Sequence, residues 1–284
     1  YVSAEKGNVI AAHNHSCQII GLQELSLEEK NVLNEECIFT DKMMLDGTMF
    51  SGNYELIFLS TLIESNFGIY QRKGTNVKVA FGSYLSPLTD SKNWKDYIDG
   101  KLFTSDNDFT EDYLRNFADK YEFLGKTKPE DYVEFLRKSI LYLNSKTFLC
   151  LILGVEFPCE KNMEYDFKER HISHRELNEA IRSYANTERR IKLIDLNDIV
   201  KSQQDFISDI NHYSTRVYYE ISIKISAIIS EIFSLKVKHH SRIYLYLDMV
   251  LNYLKRLIKI VINEDGFIFK LMYLLYKKTG RTRK

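Results

Sequence analysis

Apolar runs that end in polar residues recur along the chain and predict buried strands. Such continuous runs are typical of parallel strands covered on both faces. A shorter segment, Asn76 to Tyr84, alternates and predicts a strand or hairpin arm. The four runs are Asn8 to His13 (NVIAAH), Tyr54 to Ile63 (YELIFLSTLI), Thr147 to Val155 (TFLCLILGV) and Ile191 to Leu196 (IKLIDL).

Helices are predicted between these runs. Apolar residues recur at helical spacing over Lys128 to Leu143, and Pro129 suits the first turn. A long helix is predicted over Thr215 to Phe233. Two strings with Ser at the first position and Glu three residues later read as capping boxes that start helices. They are Ser26 with Glu29 and Ser173 with Glu176.

The alternation of strands and helices predicts an α/β fold, a parallel sheet with helices on both faces. In such sheets ligands bind at the carboxyl ends of the strands. Polar clusters fall at those ends, and we expect them to form a site. They lie at residues 13–16, 64–66, 156–160 and 205–212.

Charge divides the chain into two parts. The 284 residues contain 39 Lys/Arg and 39 Asp/Glu, a zero balance that argues against general nucleic-acid binding. Residues 235–284 hold twelve of the basic and three of the acidic residues, which leaves 27 against 36 in the first 234. We therefore predict an acidic α/β domain, residues 1–233, and a basic helical extension, residues 234–284.

The extension carries a long apolar stretch, Ile243 to Ile262. Asp248, Lys255 and Arg256 are among the charges that interrupt it, which argues against a transmembrane span and favours an amphipathic helix. Such a helix packs on its own domain, on a membrane surface or on a partner protein. The alternatives stay open at this point.

The four cysteines form no CxxC pair, so neither a disulfide framework nor a zinc site is indicated. A reducing, cytoplasmic location is expected, at the inner membrane face if the extension docks there. The sequence shows no signal peptide. Tyr1 is an unusual first residue for a natural chain, so we expect the chain to be a piece of a longer protein. His13 and His15 could ligate a metal, but no third ligand lies at suitable spacing, which favours loop histidines.

Asp209 and His212, three residues apart, follow the last predicted strand. An Asp can orient an imidazole so that its other nitrogen deprotonates a hydroxyl. The string IKLIDL, then DINHY and a helix, resembles the C-terminal signature of SGNH (GDSL-type) hydrolases. HYSTRVYYEI is similar to the final helix of that family's polysaccharide-associated branch. This resemblance covers residues 8–229, and YELIFLSTLIESN and LCLILGVEFP resemble the family's third and fourth strands.

The resemblance implies that His212 is the general base, that Asp209 orients it and that Asn66 donates to the oxyanion. No GDS string occurs, however, and the nucleophile stays open between Ser16, Ser83 and a serine missing from this chain. Ser16 is correctly placed if NVIAAH is the first strand.

Two functions follow. The first is a carbohydrate O-acyl (acetyl) esterase or transferase of bacterial surface polysaccharide metabolism, which needs no cofactor. The second is a non-catalytic SGNH-like module that binds glycan or scaffolds a glycosyltransferase at the membrane. The absence of a Gly-rich phosphate loop counts against a third reading, a sugar-nucleotide enzyme.

Overall fold

A computed structural model describes residues 4–6, 9–12, 15–38, 48–102, 109–160 and 169–235. Eight strands occur in these ranges, and each predicted run contains one. They are β1 (Ala4–Lys6), β2 (Val9–Ala12), β3 (Leu56–Ser60), β4 (Phe67–Arg72), β5 (Lys78–Ser83), β6 (Tyr121–Gly125), β7 (Phe148–Leu153) and β8 (Ile191–Asp195).

Helices occur over Leu27–Glu36, Pro129–Tyr142 and Thr215–Phe233, where the sequence predicts them. The Ser26 capping box is present, with both reciprocal hydrogen bonds. The described helices are α1 (Ser16–Glu24), α2 (Leu27–Glu36), α3 (Thr48–Ser51), α4 (Trp94–Ile98), α5 (Glu111–Lys120), α6 (Pro129–Tyr142), α7 (Arg170–Ala185) and α8 (Thr215–Phe233).

One capping prediction is wrong. Helix α7 begins at Arg170, three residues before the expected cap, so Ser173 lies inside the helix. Ser173 is buried, and its hydroxyl accepts a hydrogen bond from Lys126 Nζ at 2.7 Å. The Ser173 hydroxyl therefore makes a tertiary hydrogen bond and does not cap the helix.

The larger sheet has the order β1-β2-β3-β7-β8. Strands β2, β3, β7 and β8 pair in parallel, and β1 adds an antiparallel edge. The α/β class is thus confirmed. Because β2, β3, β7 and β8 are parallel, their carboxyl ends lie along the same edge of the sheet.

Alternate residues of the central strands pack in one core with helices α1, α6 and α7. Ile57 and Leu149 belong to this core with Leu136 of α6 and Leu177 of α7. Leu56, Phe58 and Cys150, which point to the opposite face, are buried as well. Helices α1, α6 and α7 cover one face of the larger sheet. That helices cover both faces of this sheet remains a prediction.

A second sheet, not predicted as such, is inserted between β3 and α6. It is antiparallel, in the order β5-β4-β6, and has its own aromatic core with α5. Phe117 and Tyr121 stack at 4.4 Å between ring centroids, and Tyr70 accepts a hydrogen bond from the Leu88 N–H. The inserted sheet brings the residues that follow β6 to the edge of the larger one.

The chain divides into two compact units, residues 1–228 and 229–284. The predicted basic extension lies outside the described residues from 236 onward. Among the helices that the structure describes, none has the length and apolar character that crossing a membrane requires.

Candidate functional site

Ser16 and Glu64 meet where β2 and β3 end. Glu64 Oε1 accepts a hydrogen bond from the Ser16 N–H at 2.6 Å, and Oε2 accepts one from the Ser16 hydroxyl at 2.8 Å. Both residues are buried, with 4% and 1% of their surface exposed. The Ser16 hydroxyl is therefore held by a carboxyl group, not by an imidazole.

Thr127 and His15 complete this buried cluster. The Thr127 hydroxyl donates to Glu64 Oε2 at 2.9 Å and lies 3.0 Å from His15 Nε2. His15 Nδ1 accepts the Cys17 N–H at 3.3 Å, which places the ring proton on Nε2. Burial lowers the pKa of His15, against the opposing attraction of Glu64, so the ring is neutral. The cluster ties the start of α1 to the turn after β3 and to the residues before α6.

Asp209 and His212 form a second arrangement, in the loop after β8. Asp209 Oδ2 lies 2.7 Å from His212 Nδ1, and Oδ1 accepts the Asn211 N–H at 2.8 Å. Burial works to raise the pKa of Asp209, but hydrogen bonds from Asn211 and His212 outweigh it and lower the pKa. The side chain of His212 is 64% exposed and that of Asp209 16%. An ionised carboxylate therefore holds one nitrogen of an imidazole that is open to solvent.

The loop that carries this pair is held by a buried carboxylate, Asp205. It accepts the N–H groups of Lys201 and Ser202, and Arg216 Nη2 donates to it at 2.6 Å. The backbone N–H of Ile207 donates to His212 O at 2.8 Å, across the loop. These hydrogen bonds therefore hold the backbone of the loop that carries Asp209 and His212.

Arg170, the first residue of α7, is only 5% exposed and interacts electrostatically with Asp209. Burial lowers its pKa to about 10, while Asp209, Tyr213 and Tyr84 work to raise it. A buried cation near the Asp209 carboxylate favours the ionised form of that carboxylate.

A cleft of about 620 Å³ opens beside Ser16, between α1, the β4–β5 hairpin and α6. Cys17, Thr127 and Lys78 also line it. Burial is the main cause that raises the pKa of the Cys17 thiol, and the charge of Glu64 raises it further. Lys78 opposes this rise. The thiol is therefore protonated at neutral pH.

The predicted site residues make two different sets of contacts. Asp209 and His212 are in contact, whereas Ser16 is in contact with Glu64. Asn66 lies in the turn between β3 and β4, where its carbonyl accepts the Tyr84 N–H. Ser83 ends β5 in the second sheet. Their catalytic roles stay predictions.

Sequence reasoning missed Thr127 and the part played by Glu64. Glu64 was visible only as one polar residue after a strand, and Thr127 had no signal, because an unpredicted sheet positions it. His13 lies outside the described residues. In the described ranges, no group of three or more His, Cys, Asp or Glu side chains is arranged to hold a metal ion.

Comparison of the chain with protein-family models, with curated proteins and with solved structures finds no match.

Proposed function

We propose that this chain is an SGNH-like carbohydrate O-acyl esterase or transferase in which His212 is the general base and Asp209 orients it. The observation that carries the proposal is the 2.7 Å Asp209–His212 contact in the loop after β8, with the imidazole exposed. A carboxylate on Nδ1 fixes the tautomer and stabilises the imidazolium that forms when Nε2 takes a proton.

Ser16 is the nucleophile in this proposal because it follows the first parallel strand of the larger sheet. Its attack on the carbonyl of an acyl ester would break the bond to the sugar oxygen, which leaves as a hydroxyl with the proton that His212 took from Ser16. The acyl-enzyme that remains is then resolved by water or by another sugar hydroxyl. The Ser16 hydroxyl now donates to Glu64, so that hydrogen bond has to break before His212 can take the proton. The substrate class, an acylated polysaccharide, comes from the family resemblance.

The second candidate is a non-catalytic glycan-binding or scaffolding module. It is favoured by the same Ser16–Glu64 bond and by the 4% exposure of Ser16. In that case the buried cluster is a structural tie between elements.

Labelling with a fluorophosphonate probe, together with p-nitrophenyl acetate hydrolysis, separates the two candidates. Esterase activity predicts labelling that is lost in Ser16→Ala and in His212→Ala and retained in Ser83→Ala. Cys17→Ala shows whether label falls on the neighbouring thiol. If no serine is labelled in folded protein, the esterase proposal fails and the binding module stands.

Asp209→Asn tests the orienting role. General-base catalysis contributes roughly 10²- to 10⁴-fold, and we expect kcat/KM to fall within that range. The control is Asp198→Asn, an exposed carboxylate that pairs with Lys224 after the same strand. A fall of equal size in both variants would contradict a specific role for Asp209.

A further inference from the structure

Ile207 lies beside His212 in the loop after β8. Phe206 and Tyr213 pair as an isolated antiparallel bridge. Next to that bridge, the Ile207 N–H donates to His212 O at 2.8 Å. Ile207 and His212 are therefore the next cross-strand pair, and the Cβ atoms of such a pair lie about 4.5–5.5 Å apart on the same face.

The pair of Ile207 and His212 faces solvent. Phe206 and Tyr213 are each 1% exposed. Because successive side chains of extended segments alternate between faces, the next pair points outward, with Ile207 63% and His212 64% exposed. An apolar side chain therefore adjoins the exposed imidazole that the proposed mechanism uses.

The backbone of the loop keeps Ile207 in this position. The Ser214 N–H donates to Asp205 O at 2.7 Å on the other side of the bridge. Arg216 Nη2 donates to Asp205 Oδ1 at 2.6 Å. Turning Ile207 inward would need a shift of register by one residue, and that shift would expose Phe206. The exposed apolar surface is therefore a fixed feature of the loop.

The chemistry of the Ile207 side chain suits one part of an acylated sugar better than the other. A sugar ring presents hydroxyl groups, which need hydrogen-bond partners, and the Ile207 side chain has no donor or acceptor. An acyl chain is hydrocarbon, so its contact with Ile207 removes apolar surface of both groups from water.

We infer that Ile207 contacts the hydrocarbon part of the substrate's acyl group, and that the site prefers acyl groups longer than acetyl. The inference rests on the proposed function, because an ester must bind at His212 for its acyl group to meet Ile207. Ile207 takes part in no proton transfer and acts on specificity alone.

Hydrolysis of p-nitrophenyl acetate, butyrate and hexanoate by the full chain tests this preference. Each kcat/KM is divided by the rate of hydroxide-catalysed hydrolysis of the same ester. We expect this normalised value to rise with chain length. In Ile207→Thr the hexanoate-to-acetate ratio should fall about fourfold, the equivalent of one buried methylene group. Ile98→Thr is the matched control, because Ile98 is also exposed, at 45%, at the end of α4, and it should leave the ratio unchanged.

A second measurement needs no catalysis. Diethyl pyrocarbonate modifies exposed imidazoles, and mass spectrometry of the peptide that carries His212 gives the rate of its modification. Hexanamide and acetamide, which are not esters, serve as probes of acyl-group binding. We expect hexanamide to protect His212 at a lower concentration than acetamide does, and this difference to shrink about fourfold in Ile207→Thr.

An unchanged hexanoate-to-acetate ratio in Ile207→Thr, an equal fall in Ile98→Thr, or equal protection by the two amides would each overturn the inference. Chain-length-dependent protection without fluorophosphonate labelling rejects acyl transfer alone and leaves the contact between Ile207 and acyl groups. Labelling of Ser16 without any chain-length dependence rejects that contact alone.

Discussion

At the scale of single residues, the edge of the sheet depends on a close approach between Gly154 and His174. A Cβ built on Gly154 would lie 2.5–2.7 Å from three ring atoms of His174. His174 is 1% exposed, and its Nδ1 lies 2.8 Å from Val155 O. Burial lowers the pKa of His174 to about 3, so the ring is neutral in the folded chain. Its contribution to stability is complete above about pH 6.5 and is lost as pH falls below that value.

Gly154→Ala is therefore expected to destabilise the chain by about 1–3 kcal/mol, the cost of overpacking a close-packed interior. Gly21→Ala, inside α1 with nothing nearer than 3.8 Å to the new Cβ, should instead stabilise by about 0.5–1 kcal/mol. Urea unfolding of the two variants measures the change in the free energy of unfolding, which should be opposite in sign for the two. In a His174→Ala background the cost of Gly154→Ala should shrink, and an unchanged cost would rule out the ring as its cause.

At the scale of elements, one carboxylate joins α2 to the second sheet. Glu36 accepts hydrogen bonds from Arg72 Nε at 2.8 Å, Lys120 Nζ at 3.0 Å and Tyr121 Oη at 2.9 Å. The Arg72 hydrogen bond is the largest cause of a pKa lowered to about 2, against the effect of burial. A lowered pKa means that the contribution is present above the ordinary value, 4.5, and is lost as pH falls through about 2.

Glu36→Gln should lower the free energy of unfolding by about 1.5–3 kcal/mol at neutral pH, the range for hydrogen bonds to charged groups. The difference from the natural chain should shrink steadily from pH 4.5 towards pH 2. Glu35→Gln, an exposed neighbour on the same helix, is the control and should stay within about 0.5 kcal/mol. A pH-independent difference would show that Glu36 acts through packing and not through its charge.

Short sequence motifs predicted helix and strand positions well where the hydrogen-bond partners of the motif are close in sequence. The Ser26 capping box formed because both of its hydrogen bonds lie within four residues, and α8 spans the predicted Thr215 to Phe233. Ser173 carried the same string, but its hydroxyl was taken by Lys126, which is distant in sequence. Strands β4 and β6 were missed because runs of five or six residues with polar positions do not distinguish a strand from a loop.

The candidate site, like the helices and strands, was predictable only where the contacting residues are close in sequence. Asp209 and His212 are three residues apart, so one loop can bring them together, and their contact follows from the string. The buried cluster around Ser16 could not be found in this way. Glu64 and Thr127 lie 48 and 111 positions beyond Ser16 in the chain. Only the folded arrangement of both sheets brings Glu64 to Ser16 and Thr127 to Glu64.

At the scale of the whole molecule, charge separates an acidic body from a basic C-terminal segment. Residues 235–284 carry twelve basic and three acidic residues, and Lys255, Arg256 and Lys259 interrupt its apolar stretch. Basic residues next to an anionic membrane surface contribute about 1 kcal/mol each. We therefore propose that this segment binds anionic membrane.

Flotation of the full chain with phosphatidylserine-containing vesicles tests this proposal. We expect binding at low salt that weakens as salt rises, since salt screens exposed charge. Replacing Lys255, Arg256 and Lys259 by Gln should reduce the partition coefficient roughly 100-fold, or about 3 kcal/mol for three charges. The matched control, Gln at the exposed Lys92, Lys128 and Lys146 of the body, removes the same charge and should leave binding unchanged. Equal flotation with neutral phosphatidylcholine vesicles, or an equal loss in the control variant, would refute the proposal, because binding would then depend on neither the lipid charge nor the segment.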